Sequence, residues 1–202
     1  SFSSTAYSFG MGLKDDLINQ VLWAAWYGGS LDIPNAGSLL GDDLGDISLS
    51  FEALSPPVLM PGTGGHQIEI GIGDAYISAT VALPGFGDLS LSMYLSGIVG
   101  GSIDFDPTSN ELIMSLDNTN PQIWVEITDI EEPALQGNMS LLFTEVMRML
   151  LPQLLESIVG SIPLPTFDVG GLAGLPQSEV WELQNGGIDR VGDYYRLTGE
   201  LD

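Results

Sequence analysis

The chain has 202 residues, of which 44% are hydrophobic and 15% charged, enough apolar material for one substantial core and therefore for one domain or two small ones. Its 27 acidic residues face four basic ones (Lys14, Arg148, Arg190 and Arg196), a formal charge of −23, which argues against nucleic acid and against a strongly anionic membrane surface as partners. The absence of cysteine excludes a disulfide framework, thiol catalysis and cysteine-bound zinc.

In chain order, residues 1–7 read as a strand or lead-in, and the start at Ser1, with no initiator Met or signal-peptide pattern, suggests an excised or processed domain. Leu13, Leu17, Ile18, Val21, Leu22 and Ala25 recur at spacings of three and four, predicting a helix from near Gly12. Asp15 and Asp16 suit the positive end of its dipole, and Gly28-Gly29 ends it. Segment 30–46, rich in Gly, Asp, Asn and Pro, reads as loop.

The period then drops to two. Ile47, Leu49, Phe51 and Ala53 alternate with polar residues. After a Pro- and Gly-rich stretch (55–65), so do Ile68, Ile70 and Ile72, then Ile77, Ala79, Val81 and Leu83, then Leu89, Leu91, Met93 and Leu95. Leu112, Met114 and Leu116 follow, and finally Ile123, Val125 and Ile127. Such alternation predicts an antiparallel sheet with one wet face. The wet positions are mostly Ser, Thr and Gly, slim residues that suit strong twist. Asp106-Pro107-Thr108-Ser109-Asn110 has the chemistry of a turn.

From Asn138 to Val159 the pattern is helical again and heavily apolar. Glu145, Arg148, Pro152 and Glu156 are expected on one narrow polar stripe, with the rest buried. Twenty-two residues give a rod of about 33 Å at about 1.5 Å per residue. Its charges break the apolar run of about 18 residues that a membrane span needs. Pro152 should kink it and Gly160 stop it. Pro163, Pro165 and Gly170-Gly171 punctuate a crossing segment. Glu179–Gln184 and Asp193–Asp202 read as closing strands, with Tyr195, Leu197 and Leu201 on one face.

This order of elements resembles one module of the tubular lipid-binding (TULIP) superfamily, closest to the C-terminal half of the bactericidal permeability-increasing and lipopolysaccharide-binding protein family. Residues 12–20 (GLKDDLINQ) with Leu22-Trp23-Ala24-Ala25-Trp26 are similar to the family's first helix. Pro56-Pro57-Val58-Leu59 resembles its proline-marked strand entry, and Ile162-Pro163-Leu164-Pro165-Thr166-Phe167 its exit from the second long helix. The resemblance implies an α+β fold over residues 1–202, a highly twisted antiparallel sheet wrapped around two long helices as a half-barrel. It also implies binding or transfer of a lipid or other apolar ligand in a slot between helices and sheet. The slot would be lined by Leu17, Val21, Trp26, Ile70, Ile72, Met93, Met114, Leu142, Val146, Met147, Leu150 and Leu154. It further implies a periplasmic, secreted or cell-surface location, with a second module or partner chain needed for any shared tunnel. Family members that grip endotoxin use basic tips, which this chain lacks. The alternative is a structural or protein-interaction module of a larger exported assembly, with a fully packed core.

Chemistry beyond binding finds little support. Met93, Met114, Met139, Met147 and Met149 suit an adaptable pocket and equally suit ordinary packing. Trp23, Trp26 and Trp124 suit a pocket mouth and equally the rim of a core. His66 is the only histidine, so a triad or histidine metal site would have one member, and no enzyme, cofactor or metal is expected. Asp42, Asp43 and Asp46, or Asp104, Asp106 and Asn110, offer oxygen ligands for calcium, but turn formation is the plainer reading. Gly71-Ile72-Gly73 precedes no helix and is not a nucleotide loop. Asn138-Met139-Ser140 matches a glycosylation triplet at a helix start.

Overall fold

A computed structural model describes residues 9–36, 47–83, 87–163, 167–168, 180–181, 183–192 and 194–201. The expected lead-in 1–7, residues 37–46 of the expected loop, Pro165 and Gly170-Gly171 lie outside these residues. The elements run β1 (Phe9–Lys14), α1 (Asp15–Tyr27), β2 (Asp32–Ile33), β3 (Ile47–Ala53), β4 (Val58–Pro61), β5 (Ile68–Leu83), β6 (Gly87–Asp106), β7 (Glu111–Leu116) and β8 (Gln122–Ile130). A 3₁₀ turn, Pro133–Leu135, then leads into α2 (Gln136–Val159), followed by β9 (Ser161–Pro163), β10 (Phe167–Asp168), β11 (Val180–Trp181), β12 (Leu183–Val191) and β13 (Tyr194–Leu201).

The fold is α+β, and its main antiparallel sheet curls into a half-barrel. The spine of that sheet is the pair β5–β6. On β6, Leu89, Leu91, Met93, Leu95, Gly97, Val99, Gly101, Ile103 and Phe105 all point inward and are buried, an unbroken two-residue period. Twenty residues would span about 66 Å if straight, at about 3.3 Å each, so a strand of this length must curve to stay on one core.

Each outer edge of the spine is covered by a broken strand. β3 pairs with Ala75–Val81 of β5 and β4 with Ile68–Gly71 of the same edge. β8 pairs with Leu91–Ile98 of β6 and β7 with Gly101–Asp106. The breaks fall at 54–57 and 117–121. The sequence pattern separates 68–72 from 77–83 and treats 55–65 as loop. In the structure 68–83 is one strand with a bulge at Gly73-Asp74, where Asp74 takes φ +50°, and 58–61 is a strand.

Two expectations about the helices are corrected. There is one long helix among the described residues: α2 has 24 residues but α1 only 13. Residues 12–14 are taken by β1, whose Gly12 pairs with Arg196 of β13, so the helix cannot begin before Asp15. It ends in a Schellman motif: Ser30 N–H donates to Ala25 O (2.9 Å) and Gly29 N–H to Trp26 O (3.0 Å), with Gly29 at φ +74°. Secondly, α2 is not enclosed on most of its circumference. It lies against β7 and β8 on the sheet's inner side. Met139, Phe143, Val146, Met147, Leu150, Leu151, Leu154, Leu155 and Val159 are buried there, and Leu141, Leu142, Glu145, Arg148, Met149 and Gln153 are exposed. Pro152, expected on the polar stripe, is buried. Glu156 does not merely face solvent, since its Oε1 accepts the Leu116 N–H (2.8 Å) and ties the last turn of α2 to β7.

A second antiparallel sheet, β1–β13–β12, joins the two ends of the described chain. Arg190 bonds Asp15 Oδ2 (2.6 Å) at the start of α1 and the Tyr195 hydroxyl, with its guanidinium carbon 4.8 Å from the Tyr195 ring centroid. Tyr195 and Leu197 are buried as expected for one face; the Leu201 side chain lies outside the described residues. Burial pushes the Tyr195 phenol well above its usual range.

Candidate ligand site

The residues expected to line a slot divide into three groups. Ile70 and Ile72 on β5, Met93 on β6, Met114 on β7, and Val146, Met147, Leu150 and Leu154 on α2 share one buried apolar cluster. They meet because α2 turns every third or fourth residue toward the inward side chains of the sheet. Leu151 reaches the sheet at Gly97: a Cβ there would lie 2.6 Å from its Cδ2, so this glycine lets the helix approach the strand. Val21 and Trp26 are partly buried against the same cluster, and the Trp26 indole N–H donates to Ala53 O (2.8 Å). Leu17 and Leu142 stand outside it, 42% and 37% exposed. The helical turn explains both: Leu17 is one position before buried Ile18, and Leu142 one before buried Phe143, each about 100° away at 3.6 residues per turn. Asn19 fixes α1 to the sheet edge by accepting the Leu59 N–H (2.7 Å) and donating to Leu59 O (3.3 Å). Outside the cluster, Trp23 stacks on Tyr27 on the open face of α1, ring centroids 5.0 Å apart.

The outward face of β5–β6 holds two clefts that sequence reasoning passed over. The first, about 410 Å³, is apolar. Its floor is Gly71 and Gly73, and its walls include Val58, Met60, Ile98 and Trp124. The register explains the trough: Val58 pairs with Gly71, which pairs with Ile98, so a position without a side chain lies between two apolar ones. A Cβ on Gly71 would come 3.0 Å from Met60 Cε. Val58 and Trp124 are 48% and 54% exposed on a face that the alternation marks as wet. Those apolar residues at outward positions were the available signal.

The second cleft, about 540 Å³, is polar and includes His66, Gln67, Ser102, Asp104, Ser115 and Asp117 in its lining. It lies where the strand edge breaks at 117–121. Asp117 accepts from the Thr119 N–H (2.8 Å) and hydroxyl (2.6 Å), which hold its carboxyl below the usual carboxylate range. His66 Nε2 is 3.7 Å from Asp117 Oδ2. Gln67 Oε1 accepts the Ile103 N–H (2.8 Å), which fixes that wall.

The earlier candidates for calcium are placed as follows. Asp106 accepts from Thr108 N–H (2.8 Å) and the Ser109 hydroxyl (3.1 Å), and Asn110 takes φ +56°, as the 106–110 turn requires. Asp42, Asp43 and Asp46 lie outside the described residues. Among the described residues no three His, Cys, Asp or Glu side chains gather as a metal group, and no helix is long and apolar enough to cross a membrane.

No family model matches the sequence, and no curated protein matches it. Among solved structures, a crystal structure of lipopolysaccharide binding protein is similar at 14% identity and a TM-score of 0.36, over 96% of this chain and 40% of that one. The chain thus spans less than half the length of that structure.

Proposed function

We propose that this chain is a binding protein, not an enzyme, and that it holds or transfers a lipid or other apolar ligand between α2 and the curled sheet. One observation carries the reading: the make-up of the seam. Met139 and Met147 of α2 join the cluster that holds Met93 and Met114 of the sheet, and thioether side chains with three rotatable bonds adapt to a guest more readily than branched ones. On the same helix Leu141 and Met149 are exposed, so α2 also carries apolar surface outside the seam. An exported location belongs to the same proposal and is tested by fractionation of the native source.

Organic extraction of the purified protein followed by mass spectrometry tests it, together with uptake of a fluorescent fatty acid or sterol. A co-purifying acyl or sterol species, and uptake lost on filling the seam with Met147→Trp, are the expected results. A consistently empty extract with no uptake overturns the proposal.

A second reading, a structural or protein-interaction module with a packed core, is favoured by one specific observation. The eight clustered slot residues are each no more than 3% exposed. A stable complex with a partner protein, combined with an empty extract, would establish it.

A further inference from the structure

The apolar trough and the polar cleft lie side by side on the outward face of the spine, away from the seam under α2. β6 supplies a wall to both: Ile98 borders the trough, and Ser102 and Asp104 the cleft. These residues occupy alternate, outward positions of one strand, and Ile98 and Ser102 are about 13 Å apart at about 3.3 Å per residue. Gly100 stands between them. Its missing side chain lets the His66 ring lie against the strand, since a Cβ there would come within 2.4 Å of that ring. An apolar trough and a polar cleft in line along one strand, with the His66 ring between them, match in kind a guest with a tail and a head.

The head's charge follows from the lining. The ionisable groups of the cleft are Asp104, Asp117 and His66, and neither Lys nor Arg is among its lining residues. Arg148, Arg190 and Arg196 are each paired with a carboxylate elsewhere, at Glu145, Asp15 and Asp189. With a formal charge of −23 on the chain, a sulfate or phosphate head is repelled, and so is a second copy of the chain. Ammonium is the complementary head.

We propose that this face binds an amphiphile with an ammonium head and a single alkyl tail, the tail along the glycine-floored trough beside Trp124 and the head between Asp104 and Asp117. The proposal does not rest on the seam. An empty solvent extract leaves it standing, and a lipid-loaded extract with no amphiphile binding removes it.

Calorimetric titration of the full chain tests it, using dodecyltrimethylammonium below the concentration at which it forms micelles. Dodecyl sulfate and dodecyl maltoside vary the head, and tetramethylammonium removes the tail. The long-tailed ammonium should bind at least about tenfold more tightly than any of the other three. Trp124→Ala and Asp117→Asn should each weaken it by about tenfold, or about 1.4 kcal/mol. Because Asp117 also shapes its own turn, Asp104→Asn, in mid-strand, repeats the charge test. In NMR spectra the Trp124 indole N–H and the Ser102 amide should shift on addition. Equal affinity for the three dodecyl compounds, affinities unchanged in the variants, or shifts confined to α2 would overturn the proposal.

Discussion

The two faces of β5 and β6 are built from the same strands and differ in nearly everything else. Inward positions are buried and mostly aliphatic, with Met93, Phe105, Gly97 and Gly101 among them, and α2 comes close enough at Gly97 that a single added carbon would touch Leu151. Outward positions are mostly Ser, Thr, Gly and acidic residues, with Tyr76, Tyr94 and Ile98 among them, and the flanking strands add Val58 and Trp124, each about half exposed. The inner face therefore carries the stability together with the proposed ligand seam, and the outer face is free to carry a second kind of recognition. Glycine serves both sides in different ways: Gly97 admits a helix from within, and Gly71 and Gly73 leave a trough open from without.

Four substitutions and one pH experiment probe this contrast, in descending order of effect. Leu150→Asp puts an unpaired charge into the inner layer, where Leu150 is 1% exposed, and should cost several kcal/mol in a urea melt. A variant with full thermal stability would show that the helix is not part of the core. Gly97→Ala forces Leu151 or Ile123 to move and should cost about 1–3 kcal/mol. If it proves neutral, Leu151 and Ile123 give way freely, and the contact at Gly97 does not hold the helix in place. Asn19→Ala leaves the Leu59 N–H and C=O of a strand edge without their partner, an expected loss of about 1–3 kcal/mol. Trp124→Ala on the outer face should change stability by no more than about 0.5 kcal/mol, and a larger loss would mean that this face also holds the fold together.

The smallest effect is on the acid side. Asp106 and Asp117 both titrate below the ordinary value of 3.8, held down chiefly by hydrogen bonds from Thr108 and Thr119 respectively. A depressed carboxylate contributes stability that is present above its unfolded pKa and lost as pH falls through its folded one. Relative to the parent, Asp117→Asn should therefore be less stable at neutral pH, with the gap closing as pH drops through and below about 3.8. A gap independent of pH would show that Asp117 is not held ionised by its turn.

Much of this architecture was legible from local pattern. Alternation over 47–53, 77–83 and 89–95 identified strands together with their inward side chains, because burial on one face of a pleated strand selects every second residue. The apolar helix after 138 was equally plain, and eight of the twelve residues assigned to a slot do share one buried cluster. Leu17 and Leu142 escaped because composition identifies an apolar helix but not which way each residue turns. The outer clefts escaped because each depends on residues brought together by register: Val58, Gly71 and Ile98 are neighbours only across three strands.

The sequence by itself determined where period two gives way to period 3.6, which faces of the strands are dry, and that basic chemistry is nearly absent. These are local or compositional properties, which each segment carries without reference to the others. Only the tertiary structure decided that β3 with β4, and β7 with β8, are halves of broken strands along two shared edges. The same holds for the shortening of α1 by pairing between Gly12 and Arg196, and for the Asp15–Arg190 ion pair across 175 residues. Strand pairing and ion pairing are contacts between distant segments, and no periodicity within either segment records its partner.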